Sequence, residues 1–189
     1  MAQPPFEPAR FQSFDTRTSP KTVAARLKAL RAAMAEAGLD GFLIPRADAH
    51  RGESVPDSEA RLAYVTSFTG SAGFTVVGPK KAGLFVDSRY TLAAPLQTDT
   101  RLVTVIETAQ GASDARVGDF LPKGGKLGFD PWLHTPGEIR TLTEMLKGRA
   151  TLVASRNLVD QIWSDRPAPP VTPVEFLGHN RAGRTAADK

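Results

Sequence analysis

The sequence predicts an α/β fold, a mixed sheet of about six strands flanked by helices. Three observations carry that prediction. Short β-rich apolar runs alternate with stretches whose apolar residues recur at helical spacing, the order that builds a sheet covered by helices. Two runs, "GFTVVG" (73–78) and "AGLFVD" (82–87), are separated only by "PKK", a hairpin signature that adds an antiparallel pair. No internal repeat occurs and no low-complexity tract besides a proline spacer, so one domain with extensions suits the 189 residues.

Taken in order, residues 1–18 are Pro-rich and aperiodic, a loose arm. Ser19-Pro20 supplies an N-cap and a first-turn proline. Behind it Val23, Leu27, Leu30, Met34 and Ala37 form one helical stripe, which Gly38 ends. "GFLI" (41–44) is a short buried strand closed by Pro45, and 46–60 is a polar loop. "RLAYVTSF" reads as a short helix turning into the hairpin. "SRYTLAAPLQ" reads as helical, interrupted by Pro95. "LVTVIET" (102–108) is a strand, "SDARVGDFL" a short helix, and "KLGFD" (126–130) a strand stopped by Pro131. Thr135-Pro136-Gly137-Glu138 resembles a capping box, opening a helix that buries Ile139, Leu142, Met145 and Leu146. "TLVAS" (151–155) is the last strand. The final apolar stretch, with Leu158, Ile162 and Trp163, runs into Pro167, Pro169, Pro170 and Pro173, a stiff spacer between folded units. The boundaries are an arm at 1–18, a domain at 19–165, and a proline-rich linker with the start of a second domain at 166–189.

Composition excludes several classes. There are no cysteines, so disulfides and thiolate metal sites are ruled out, and a reducing compartment is compatible. No apolar run approaches the ~18 residues of a membrane span, and the start lacks the basic-then-apolar pattern of a secretory signal. The net charge of +4 is scattered, with Lys80–Lys81 and Lys123 with Lys126 in turns, so no basic stripe for nucleic acid stands out.

Motif chemistry is sparse. Asp48, His50, Glu53, Asp57 and Glu59 share one loop and are suitable metal ligands, but no spacing matches a known local site. Asp48 and Asp57 read better as turn and cap residues, and His50 as a structural hydrogen-bonder. His134, at a helix entry, and His179, in the tail, have no visible acid or nucleophile partner. "FTGSAGF" (68–74) matches neither phosphate-loop pattern and precedes a strand; a tight turn needing positive φ explains it better. Asp87 and Arg89 follow an apolar strand directly, where α/β sheets place functional residues. Arg89 there either grips a carboxylate or carbonyl of a ligand, or pairs with Asp87 to close the turn.

The order of motifs says more than any one of them. "IPRADAHRGE", "RLAYVTSFTGSAGFTVV", "AGLFVDSRYTLAA", "LGFDP" and "NLVDQIWSDRP" together resemble the N-terminal region of Xaa-Pro aminopeptidase, within the creatinase/prolidase superfamily and closest to its three-domain, cytosolic-type branch. The resemblance covers roughly residues 20–175, and "GRTAADK" is similar to the start of that family's second domain.

The resemblance implies a ribonuclease H-like mixed sheet, a cytoplasmic protein and a homodimer. It also implies a partner C-terminal catalytic domain holding two divalent metals, expected to be manganese, that acts on peptides with proline at the second position. This chain, lacking that domain, is expected to hold no metal or other cofactor and to be inactive alone, walling the cleft and serving dimerisation. Carried over by position, Arg89, His50 and Asp48 are the substrate-cleft residues. Two departures stand out: Ser88 where the family has Gly, which strains the turn if positive φ is needed there, and Ser54 where an aromatic is common. An alternative is a stand-alone peptidase-like interaction module without catalysis, with an apolar patch near Trp163 and Phe176. Nucleic-acid processing is disfavoured, because only Asp87 and Asp130 stand at strand ends where converging carboxylates are needed.

Overall fold

The computed structural model describes residues 18–109, 114–175, 178, 181, 183–185, 187 and 188. Residues 1–17 of the expected arm, and Phe176 and His179, lie outside these. The Ser19 hydroxyl accepts the Lys21 amide, and the 3-10 turn Pro20–Thr22 feeds helix α1 (Val23–Glu36). Gly38, at φ +65°, ends the helix as expected.

The sheet has six strands: β1 (Gly41–Pro45), β2 (Phe74–Val77), β3 (Ala82–Val86), β4 (Val103–Glu107), β5 (Gly125–Phe129) and β6 (Ala150–Ala154). Their order is β4-β3-β2-β1-β5-β6. β2 pairs antiparallel with both β1 and β3, while β3–β4, β1–β5 and β5–β6 are parallel. Five strands therefore point one way, and their C-terminal ends share an edge with the start of β2.

Side chains alternate across that sheet with period two, as pleating requires. Phe42, Ile44, Leu84 and Val86 join the core beneath α1, α2 (Arg61–Thr66) and α5 (Leu158–Ile162). Leu43, Val76, Phe85 and Leu127 join the opposite core, beneath α4 (Pro136–Met145) and the 3-10 turn Ala115–Phe120. Each of the fully buried Phe42 and Phe85 stabilises the fold by about 1.5–3 kcal/mol through burial alone.

Several elements differ from the sequence-based expectation. Pro95 does not interrupt a helix: it sits third in α3 (Ala93–Gln97), where backbone N–H groups have no intrahelical partner to lose. In place of the expected short helix, Ala115–Phe120 winds as a 3-10 helix capped by Asp114. Met145 is 41% exposed, because at about 100° per residue it falls well off the stripe of Ile139, Leu142 and Leu146. Ser88 carries no positive φ; among the described non-glycine residues that conformation falls on Arg51 and Ser67 instead. Trp163 forms no exposed patch, since it stacks on Tyr64 at 4.5 Å; besides Met145, the large apolar side chains exposed at folded elements among the described residues are Leu92, Leu96 and Trp132.

Candidate functional site

The shared strand-end edge gathers most of the chemically capable side chains. Asp48, 6% exposed, accepts hydrogen bonds from the backbone amides of Gly52 (3.0 Å) and His50 (2.9 Å). The Gly52 amide is the chief cause holding the Asp48 carboxyl below the usual carboxylate range, against the opposing effect of burial. Asp48 is thus the turn-former of its loop. The loop swings Arg51 to φ +58°, from where its guanidinium donates to the Leu133 carbonyl (2.7 Å) and to Glu138 (2.5 Å). His50 contributes its amide to this turn while its imidazole is exposed.

At the end of β3, Asp87 caps the following 3-10 turn by accepting the Arg89 amide (3.0 Å). It also receives the Arg89 fork, Nε to Oδ1 at 3.0 Å and Nη2 to Oδ2 at 2.6 Å. Asp87 therefore both caps the turn and pairs with Arg89, and the Arg89 side chain is still 50% exposed. The Arg89 hydrogen bonds keep the Asp87 carboxyl below its ordinary value. The same clasp recurs at Asp99–Arg101 and Asp114–Arg116. The Asp-x-Arg spacing occurs four times in the sequence, at 15–17, 87–89, 99–101 and 114–116; the three within the described residues all form the clasp, a signal that reading each motif singly misses. Arg89 and Arg116 line one open hollow with Glu107 and Thr108.

Beside it lies a half-enclosed cavity of about 300 Å³. Leu43, Phe74, Phe85, Ile139 and Leu142 make its apolar wall, with Phe74 and Phe85 stacked at 4.5 Å. Arg46, Arg51, Asp87, His134 and Glu138 supply its polar lining. Gly73 sits in this wall at φ +147°, and a Cβ there would lie 2.8 Å from the Phe85 carbonyl oxygen, which explains the glycine-rich turn. Burial pushes the His134 imidazole down to about 4, so it is neutral near pH 7. Its Nε2 is buried without a hydrogen-bond partner among the described residues. His134 has no catalytic partner visible in the sequence, Arg46 has no local signal at all, and Glu138 is legible only as a capping residue, its Arg51 partner coming from a distant segment.

No nucleophile–base–acid array assembles among the described residues. Among the described residues no three His, Asp or Glu side chains cluster to hold an ion. Among those residues no helix is long and apolar enough to cross a membrane.

Residues 26–162 match the Creatinase/Prolidase N-terminal domain. The chain belongs to that family. This creatinase/prolidase N-terminal domain is 34% identical to Aminopeptidase P2 of Arabidopsis thaliana over 175 residues, 88% of the chain and 25% of the relative. It is 36% identical to Xaa-Pro aminopeptidase 2 of Sus scrofa over 168 residues, 87% of the chain and 25% of the relative. The chain thus spans about a quarter of the length of these curated relatives. Among solved structures, the X-prolyl aminopeptidase of Caenorhabditis elegans, a cytosolic enzyme with a di-nuclear active site, superposes with a TM-score of 0.76 at 28% identity, covering 88% of this chain and 29% of that one. The N-terminal domain of cytoplasmic peptidase PepQ from Mycobacterium tuberculosis gives 0.58 at 26% identity, covering 73% and 98%. The six-stranded mixed sheet flanked by helices is the fold of these domains.

Proposed function

We propose that the chain is the non-catalytic N-terminal domain of a dinuclear metal-dependent Xaa-Pro aminopeptidase, which removes the N-terminal residue preceding proline. Its roles are dimerisation and walling one side of the substrate cleft. The observation that carries this is the match of nearly the whole chain to about a quarter of Xaa-Pro aminopeptidases from a plant and a mammal. In this reading the domain spans 19–165, and 166–189 leads toward further domains. The metals, expected to be manganese, belong to the catalytic domain, and the assembly is a cytoplasmic homodimer acting on peptides with proline second.

The cleft-facing residues are Arg89, His50 and Asp48. Asp87 holds the Arg89 guanidinium in one pose while half of it faces solvent, so it reaches a peptide carbonyl without first losing rotamer freedom. Asp48 acts indirectly, by shaping the turn from which the His50 imidazole projects.

The test has two parts. The 189-residue chain supplied with manganese releases no amino acid from an Xaa-Pro peptide. In the chain joined to its catalytic domain, Arg89→Ala raises KM or lowers kcat about tenfold, the usual cost of one charge-assisted contact. Turnover by the isolated chain overturns the non-catalytic assignment, and unchanged kinetics in Arg89→Ala overturn the role of Arg89.

A second reading, a stand-alone peptidase-like interaction module, is favoured by the exposed Leu92, Leu96 and Trp132. A native protein of 20.3 kDa in its source cells, bound stoichiometrically to another chain, would decide for it.

A further inference from the structure

The cavity between α4 and the ends of β1, β2 and β3 has a charge balance that selects its occupant. Four charged side chains line it, and three are matched by opposite charges. Arg51 is paired with Glu138 at 2.5 Å, and Asp87 with Arg89 at 2.6 Å. Arg46 is different. Its Nη1 donates to the Glu53 carbonyl at 2.9 Å, and no carboxylate among the described residues pairs with it. Its backbone amide donates to the Gly73 carbonyl at 2.9 Å, so the residue is fixed at the end of β1. The cavity therefore offers one uncompensated guanidinium beside a wall of aliphatic and aromatic carbon.

Its size and shape are set by the fold. About 300 Å³ is the low end of the range of small-ligand sites, enough for one or two amino-acid residues. The apolar wall is the part of the second core that α4 does not cover at the strand-end edge. Phe74, only partly buried and backed by the stacked, fully buried Phe85, presents a ring there against which a branched or aromatic side chain packs. The Arg51–Glu138 pair ties the loop of 46–53 to the first turn of α4, so two walls of the cavity are braced before any ligand arrives. A cation alone would attract any anion, and an apolar wall alone any hydrophobe. Together they select a molecule carrying both groups a few ångströms apart.

We propose that this cavity is a binding site for an apolar α-carboxylate, with the carboxylate on Arg46 and the side chain against Phe74 and Ile139. The chemistry has two sources, the carboxyl end of a peptide and a free hydrophobic amino acid. The site is independent of the aminopeptidase assignment, because it lies wholly within this chain and needs no catalytic domain.

The test titrates the full chain, labelled with nitrogen-15, with N-acetyl-leucine, N-acetyl-leucinamide and N-acetyl-prolyl-leucine, followed by amide chemical shifts. The acid binds with a dissociation constant on the order of 1 mM, as suits a ligand of this size, and moves the amides of Arg46, Phe74 and Ile139 most. The amide, lacking the charge, binds about tenfold more weakly. Arg46→Lys keeps that preference and Arg46→Gln loses it. Ala72→Leu, which adds bulk at the cavity wall while keeping Arg46, abolishes binding of both ligands. Tighter binding of N-acetyl-prolyl-leucine than of free leucine, titrated alongside, assigns the site to peptide ends, and tighter binding of free leucine assigns it to free amino acids. The proposal is overturned if the acid produces no shifts up to about 20 mM, well above the expected constant. It is equally overturned if acid and amide bind alike, or if Ala72→Leu leaves binding unchanged.

Discussion

Lowering the pH from about 7.5 to about 5 isolates one side chain, His134. Its folded-state pKa is about 4, against an ordinary 6.5, because burial disfavours the imidazolium. The groups facing it are Glu138 and Asp130, which favour the cation, and Arg51, which opposes it. Since the folded pKa is depressed, the unfolded chain binds more protons between the two values. The stabilisation is therefore complete above about pH 6.5 and is lost as pH falls toward 4. At about 1.36 kcal/mol per unit the full effect is about 3 kcal/mol, of which about 2 kcal/mol is lost by pH 5. Asp48, Asp87, Asp99 and Asp114 all have carboxyls held below the ordinary range, so their contributions persist at pH 5 and fade only in stronger acid. Urea unfolding at the two pH values should show the midpoint falling by about 1 M, taking a slope of about 2 kcal/mol per molar. In His134→Phe, which keeps an edge-on ring against Phe129 and removes the orphaned Nε2, that pH step should shrink to less than half. Equal pH steps in the two proteins would refute the claim that burial holds His134 neutral.

The packing gives two further expected outcomes. Arg61, 5% exposed, donates to Asp160 at 2.6 and 2.9 Å and to Glu59 at 2.5 Å, tying α2 to α5. Arg61→Ala should cost about 2–3 kcal/mol, less than for fully orphaned charges because Arg166 still pairs with both acids; a loss under about 0.5 kcal/mol in thermal unfolding would mean the network acts as a surface pair. Gly73→Ala should cost about 1–3 kcal/mol, since φ +147° and the Phe85 carbonyl both exclude a Cβ; unaltered stability by the same assay would show that the turn relaxes freely.

Features legible in the sequence were those whose cause is local. The Ser19 cap, the hairpin across "PKK" and the reciprocal Thr135–Glu138 bonds all arise between residues within a few positions of each other. Pro95 misled because a proline's effect depends on its position within the helix, and that start was displaced by the separate 3-10 turn Ser88–Tyr90. The candidate site was only partly legible. Asp87 and Arg89 are two residues apart, so their pairing was foreseeable, whereas Arg51 and Glu138 are 87 apart and Arg61 and Asp160 are 99 apart.

The sequence by itself determined the six strands, the longer helices, the mixed α/β class and the family, because periodicity, caps and motif order are written along the chain. Only the tertiary structure decided that β1 lies between β2 and β5, and so brought Arg46 beside Gly73 and within reach of α4. It also left one guanidinium in that cavity without a carboxylate partner among the described residues. The physical reason is that strand order and charge pairing are set by burying two sheet faces at once. That balance sums contacts over the whole domain, and no local stretch of sequence encodes it.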